Sequence, residues 1–428
     1  MAILFKRIAL LHIILVIVAF SFSGFSFLTQ VQSFGINYGQ IGNNLPQPEK
    51  VLELLQSIRI TKARIYDTNP QILTAFAHSG VELSVTVAND MLDVLMDPQQ
   101  ALQWVNTHIK PYVPATKITG IAVGNEVFTG DDTSLVAKLV PAIINVHGAL
   151  VQLGLDQYIQ VSTPSSLAVL ASSYPPSSGC FQPELTAIMT QFLHFLSTTK
   201  SPFWINAYPY FAYKDAPNGI SIDYVLFNPN AGMIDPYTKL RYDNMLYAQV
   251  DSVLFAMLRL GFNAIEVRVS ETGWPSKGDQ NEVGANPLNA ATYGRNLLRR
   301  QYGNEGTPLR PKMRLEVYLF ALFNEDMKPG PTSERNYGLY QPDLSMAYNV
   351  GLSGSVSTTS TSTSSPTSTS TSTSTSTSTS TSTPTSTASI SLTSSASPNH
   401  KQVPKMGYQS LVYWMFVYLS AFHVFLRR

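Results

Sequence analysis

The stretch Ile118-Thr119-Gly120-Ile121-Ala122-Val123-Gly124-Asn125-Glu126 carries the pattern that decides the fold: a short β-prone run that stops on glycine and opens into polar residues. Seven other runs repeat it, at 34–38, 63–66, 83–88, 159–162, 203–207, 266–269 and 315–320. Their Val/Ile/aromatic character without strict alternation suits parallel strands covered on both faces. The intervals leave room for helices such as 52–58 and 290–301. Eight strand–helix repeats predict a single (β/α)8 TIM barrel, about 250 residues or more in length. A doubly wound open sheet is the alternative, and the lack of Gly-x-Gly-x-x-Gly after an early strand weakens its nucleotide-binding versions.

In such a barrel the functional face is built where the strands end, so the residues at the end of each run or just past it are the candidates. They are Asn37 and Tyr38, Tyr66, Asn89, Asn125 and Glu126, Asn206, Tyr208 and Phe211, Glu271 and Trp274, then Glu325 and Lys328. Glu126 after the fourth strand and Glu271 after the seventh can flank one bond across the barrel mouth. Glycoside hydrolysis needs such a pair, one carboxyl protonating the leaving oxygen while the other attacks the anomeric carbon or activates water. Taken singly, each glutamate also reads as an ion-paired strand-end acid, and each aromatic as core.

Composition narrows the partners. A net charge of +1 offers no concentrated basic face for nucleic acid. The seven histidines are scattered without metal-ligand spacing, and neither a phosphate-binding loop nor Gly-x-Ser-x-Gly occurs, so no metal or other cofactor is expected. Twenty-one Tyr and 21 Phe supply rings that can stack on sugar faces. Cys180 is the only cysteine, so no intrachain disulfide can form and stability rests on a large core.

The segments outside the barrel read as targeting devices. Lys6 and Arg7 precede an apolar run at 8–20 with Ser33 as a small cleavage position, which predicts a signal peptide over 1–33, an uncleaved anchor being the competing reading. The catalytic domain is expected over 34–350. A Ser/Thr-rich stalk follows over 351–397, with the Thr-Ser alternation setting in at 355 and broken by Pro366 and Pro384; it cannot bury a core and suits O-glycosylation, the more so because Asn-x-Ser/Thr is absent from the chain. The last segment, 398–428, places a polar spacer before an apolar tail at 411–426, the order of a glycolipid (GPI) anchor signal, with Ser394 to Ser397 offering small attachment residues. A retained membrane span ending at Arg427 and Arg428 is the alternative.

The segments Gly35-Ile36-Asn37-Tyr38-Gly39, Arg64-Ile65-Tyr66-Asp67, Val123-Gly124-Asn125-Glu126, Asn206-Ala207-Tyr208-Pro209-Tyr210-Phe211, Ser270-Glu271-Thr272-Gly273-Trp274-Pro275, Phe323-Asn324-Glu325 and Tyr337-Gly338-Leu339-Tyr340 together resemble the plant β-1,3-glucanases of glycoside hydrolase family 17. The resemblance implies an open groove, retaining chemistry and endo-cleavage of β-1,3-glucan, with Glu126 as proton donor and later base, Glu271 as nucleophile, and Glu325 with Lys328 as charge support and substrate contact. The stalk and anchor tail, by which the chain departs from the simplest family members, place the enzyme at the outer face of the plasma membrane beside the cell wall, and a monomer is expected. A β-1,3-glucan transglycosylase would carry the same two glutamates, and a non-catalytic glucan-binding wall protein would not need them.

Overall fold

The computed structural model describes residues 34–352, so the expected signal peptide, stalk and anchor tail lie outside the described residues. The core is one parallel sheet of nine strands: β1 Phe34–Tyr38, β2 Lys62–Ile65, β3 Glu82–Val87, β4 Lys117–Val123, β5 Gln160–Ser162, β6 Pro164–Ser166, β7 Phe203–Asn206, β8 Val267–Thr272 and β9 Glu316–Leu319. Their spatial order is β5-β4-β3-β2-β1-β9-β8-β7-β6. The two ends of that order, β5 and β6, are successive halves of one segment with only Thr163 between them. β5 pairs with β4 and β6 with β7, so a single bent stave completes the ring. Eight staves result, as the eight runs predict, and the fold is a TIM barrel.

The helices start where the sequence supplies initiators. α1 Pro48–Ser57, α2 Pro70–Ala75, α3 Pro98–His108, α6 Pro209–Asp215 and α8 Pro287–Tyr302 each begin on proline, whose missing N–H costs nothing at a helix start. The side chains of Asn69, Asp97 and Asn286 cap α2, α3 and α8. α4 Val136–Gln152 buries Leu139, Val140, Ile143, Val146 and Leu150, a 3.6-residue stripe facing the barrel. α5 Thr186–Thr199 and α7 Met245–Arg259 complete the outer layer.

The inside of the barrel departs from the expectation of runs apolar on both faces. Alternation is in fact kept in β2 (Lys62-Ala63-Arg64-Ile65) and in most of β8 (Val267-Arg268-Val269-Ser270). Ala63, Ile65 and Val269 face the helices, fully buried. Lys62, Arg64, Arg268 and Ser270 face inward, where Arg268 lies 5.1 Å from the Trp204 ring centroid. Large rings fit here because glycine leaves room: a Cβ on Gly35 would lie 2.4 Å from the Tyr318 ring. At the N-terminal end the interior is an ion cluster, with Lys62 3.1 Å from Glu316 and 3.4 Å from Glu82, Arg268 3.2 Å from Glu316, and Lys117 2.8 Å from Glu82.

Candidate active site

At the C-terminal mouth the strands deliver a second polar cluster. Strand alternation alone would turn Glu271 away from it, because its neighbour Ser270 already faces inward. A β-bulge corrects this: pairing with β7 steps from Val269 opposite Ile205 to Glu271 opposite Asn206, leaving Ser270 as the extra residue. Glu271 is then held at both oxygens. Arg64 Nη1 and Tyr66 Oη each lie 2.8 Å from Oε1, and Tyr208 Oη donates to Oε2 at 2.8 Å. Arg64 is 1% exposed and Glu271 7%, so the ion pair is withdrawn from water.

Glu126 follows β4 in a left-handed backbone conformation (φ 55°), a sparsely populated one for a residue with a side chain. Its turn is pinned from three sides. Glu126 N–H donates to the Pro164 carbonyl at 2.9 Å, Asn89 Oδ1 accepts from Asn125 N–H at 2.7 Å, and Arg64 Nη2 donates to Asn125 Oδ1 at 2.7 Å. Asn206 Nδ2 donates to Glu126 Oε1 at 2.8 Å, its amide oriented by Ser270 Oγ, which donates to Asn206 Oδ1 at 2.7 Å. Arg64 therefore braces both Glu271 on β8 and the turn that carries Glu126.

The two carboxyls sit in unlike environments. Burial, and then the negative charge of Glu271, push the Glu126 carboxyl above its ordinary value, against the pull of Asn206 and Arg64. Burial and the Glu271 charge likewise hold the phenols of Tyr66 and Tyr208 well above theirs, so both stay protonated donors. Burial also raises Glu325, although Lys328 and the Ile41 N–H work against it. Glu325 Oε1 accepts from that N–H at 2.8 Å, and the chain passes so close that a Cβ on Gly39 would lie 2.3 Å from the carboxylate. Lys328 lies 4.2 Å from the Phe320 ring centroid and 3.5 Å from Glu334.

Together these groups line a cavity of about 640 Å³, open on one side, a size suited to a few sugar rings. Of the residues expected at the groove, Tyr66, Asn125, Glu126, Asn206, Tyr208, Phe211, Glu271, Glu325 and Lys328 line it. Four do not. Trp274 is 1% exposed, packs on Tyr210 and Tyr293, and donates its Nε1–H to the Gly284 carbonyl at 2.9 Å, so it is a core residue. Tyr38 points outward from β1 and packs edge-on against Phe323. Asn37 points inward below the rim and donates to the Ser270 carbonyl at 3.1 Å. Asn89, though exposed, spends its amide on the backbone of Asn125. Arg64, Phe320, Glu334 and Tyr337 belong to the site without having been singled out as contacts. For Arg64 the signal was parity, since it shares a strand face with Tyr66 two residues on.

A closed eight-stave barrel with two glutamates across its mouth, Glu271 buried and Glu126 half-buried with its carboxyl raised, defines a glycoside hydrolase. The chain belongs to glycosyl hydrolases family 17, whose family model matches residues 34–352. Over 327 residues it is 50% identical to glucan endo-1,3-beta-glucosidase 11 of Arabidopsis thaliana, covering 76% of this chain and 77% of that one. It is also 50% identical over 324 residues to glucan endo-1,3-beta-glucosidase 14 of the same plant, covering 76% and 83%. Among solved structures, it is similar to CJP38, a beta-1,3-glucanase and allergen of Cryptomeria japonica pollen, at 42% identity and a TM-score of 0.72, covering 75% of this chain and 99% of that one.

Proposed function

We propose that the enzyme hydrolyses internal β-1,3-glucosidic bonds of β-1,3-glucan with retention of configuration. One observation carries the division of labour. Three donors converge on Glu271, whereas Glu126 accepts one and has its carboxyl held above the ordinary value. Glu126 in its neutral form gives its proton to the glycosidic oxygen as the C1–O bond breaks, and a Glu271 oxygen attacks C1 to form a glycosyl ester. Water then attacks C1, losing its proton to Glu126, and Glu271 leaves as the carboxylate. Arg64, Tyr66 and Tyr208 stand ready to take up the charge that returns to it. The β-1,3 linkage is supported by the activity named for the relatives, and the groove's open side suits internal bonds of a long chain.

NMR of freshly cleaved linear β-1,3-glucan tests this reading. Retention requires the β-anomer first, and a carboxyl separation between Glu126 and Glu271 of about 5–5.5 Å, where inversion needs roughly 6.5–9.5 Å. An initial α-anomer overturns the ester, and longer chains appearing among the products indicate transglycosylation instead. For location, the stalk followed by spacer and apolar tail supports a glycolipid anchor at the outer face of the plasma membrane. Release of the full chain from intact cells by a phosphatidylinositol-specific phospholipase C tests that.

A further inference from the structure

The loops beyond β8 and β9, at 273–286 and 326–336, are joined by carboxylates that take no part in the bond cleavage described above. The first loop is fixed at its far end. There the Gly284 carbonyl accepts from Trp274 Nε1–H at 2.9 Å, and a Cβ on Gly284 would lie 2.8 Å from the ring of Tyr213, in the insertion between β7 and α7. Within the loop Asp279 and Glu282 close a turn on each other: Glu282 N–H donates to the Asp279 carbonyl at 2.9 Å, and Asp279 N–H to Glu282 Oε2 at 2.9 Å. Both carboxylates then reach the second loop. Asp279 Oδ2 accepts from Thr332 N–H at 2.9 Å, while Glu282 takes both donors of the fully buried Ser333, its hydroxyl at Oε1 and its N–H at Oε2, the latter at 3.0 Å. Glu282 is itself 6% exposed. Burial works upward on its carboxyl, but the Ser333 hydroxyl and the N–H groups of Asp279 and Ser333 outweigh it and hold the group below its ordinary value, so it remains an acceptor.

What the gripped turn carries gives the clasp its meaning. Glu334, next to Ser333 in the single turn Thr332–Arg335, lines the catalytic cavity with Lys328, whose Nζ lies 3.5 Å from it. Arg335 ties the same turn back to the Lys328 and Gly330 carbonyls at 2.9 Å each. Behind burial and the charge of Glu271, the charge of Glu334 also raises the Glu126 carboxyl, while Asn206 and Arg64 lower it. We infer that Glu282 is a positioning residue: by gripping Ser333 it sets where Glu334, and with it Lys328, stands on the wall of the catalytic cavity. This rests on the glucanase reading and adds to it a buried acid that acts on the site through its neighbours.

The test measures kcat/KM on linear β-1,3-glucan, its pH profile and the melting temperature for the full chain, Glu282→Ala, Glu282→Gln, Glu334→Ala and the double alanine variant. Glu282→Ala takes the acceptor from the Ser333 and Asp279 N–H groups, and is expected to lose about tenfold in kcat/KM as the wall shifts. With Glu334 no longer held in place, its alkaline limb should move to lower pH. Glu282→Gln keeps an oxygen for both N–H groups and an amide for the Ser333 hydroxyl, so it should restore most of the activity. Because the effect runs through Glu334, the double variant should lose far less than the product of the two single losses and share the alkaline limb of Glu334→Ala. Losses that multiply, or a Glu282→Ala protein that melts lower yet keeps wild-type kcat/KM and limb, overturn the inference. If Glu282→Ala does not fold, Asp279→Ala, cut from an exposed side chain, is measured alone and with Glu334→Ala, and the same two readings decide. Wild-type enzyme inactive on the glucan overturns the glucanase reading itself.

Discussion

The two ends of the barrel interior hold similar chemistry and treat it oppositely. At the N-terminal floor Lys62, Lys117 and Arg268 surround Glu82 and Glu316, so cations outnumber carboxylates. Burial pushes Glu316 upward there, but Arg268 and Lys62 outweigh it and hold the carboxyl below its ordinary value. At the mouth, Glu126, Glu271 and Glu325 share Arg64 and Lys328. With too few cations to go round, burial prevails and Glu126 and Glu325 are raised. The floor is neutralised and serves stability; the mouth is left in electrostatic debt, the condition under which a carboxylic acid keeps a proton to give.

That contrast breaks most directly at the glutamates. Glu271→Ala should lower kcat on β-1,3-glucan by on the order of 10⁴-fold or more, through loss of the nucleophile. Glu126→Gln should cost about 10²–10⁴-fold, most on substrates with poor leaving groups. If either variant kept near-wild-type turnover, the mouth would be as structural as the floor. Next comes Arg64→Met, which leaves a buried carboxylate without its cation. It should fall about 10²-fold in kcat and lose about 3–5 kcal/mol of stability by denaturant unfolding. Because Arg64 holds Glu126 down, its removal should raise the Glu126 carboxyl further and carry the alkaline limb of the kcat/KM profile to higher pH. A limb that stays in place would detach Arg64 from the acid.

The floor gives the converse. Lys62→Met should cost about 1–3 kcal/mol of stability, because Arg268 still partners Glu316 and Lys117 still partners Glu82. Turnover should stay within about twofold, the floor being remote from the mouth. The stability difference has a sign in pH. Glu316 and Glu82 are depressed in the folded state, burial being outweighed by their cations, so their contribution is present above the unfolded carboxylate pKa and lost as pH falls through the folded value. Wild type and Lys62→Met should therefore converge in acid, as thermal melts would show.

Much of the mouth was legible as polar residues following β-prone runs, because a parallel barrel puts every strand's C-terminus on one face. Glu126, Asn125, Asn206, Tyr208 and Tyr66 were found that way, and all line the cavity. Position past a run says how high a residue sits but not which way it points. Tyr38 and Asn37 adjoin in sequence and fall on opposite sides of β1, while Trp274 turns back into the aromatic core beneath the insertion. Glu271 faces the mouth only because of a bulge that no local residue announces. Arg64 escapes for a related reason: it lies inside the run at 63–66, and the candidates are sought where the runs end. The run at 159–162 accounts for β5 alone; β6, beyond the bend at Thr163, exists through its pairing with β7 and has no counterpart in that run.

The smallest expected effect tests the comparison at its most specific point, since it asks whether the mouth trades stability for chemistry. A carboxyl raised in the folded state contributes stability that is full below the unfolded pKa and declines as pH rises through the folded value. For Glu126 that decline reflects burial of a charge and its repulsion by Glu271. Glu126→Gln keeps an oxygen that can accept from Asn206 Nδ2 but never ionises, so it resembles the protonated acid at every pH. The inactive variant should therefore melt above wild type at pH 7, by about 2–4 °C for a difference near 1 kcal/mol. At about pH 3–4, where wild-type Glu126 holds its proton in both states, the two curves should coincide. A variant no more stable than wild type at neutral pH would mean that the ionised acid is not strained, and that the cation shortage at the mouth has no energetic consequence.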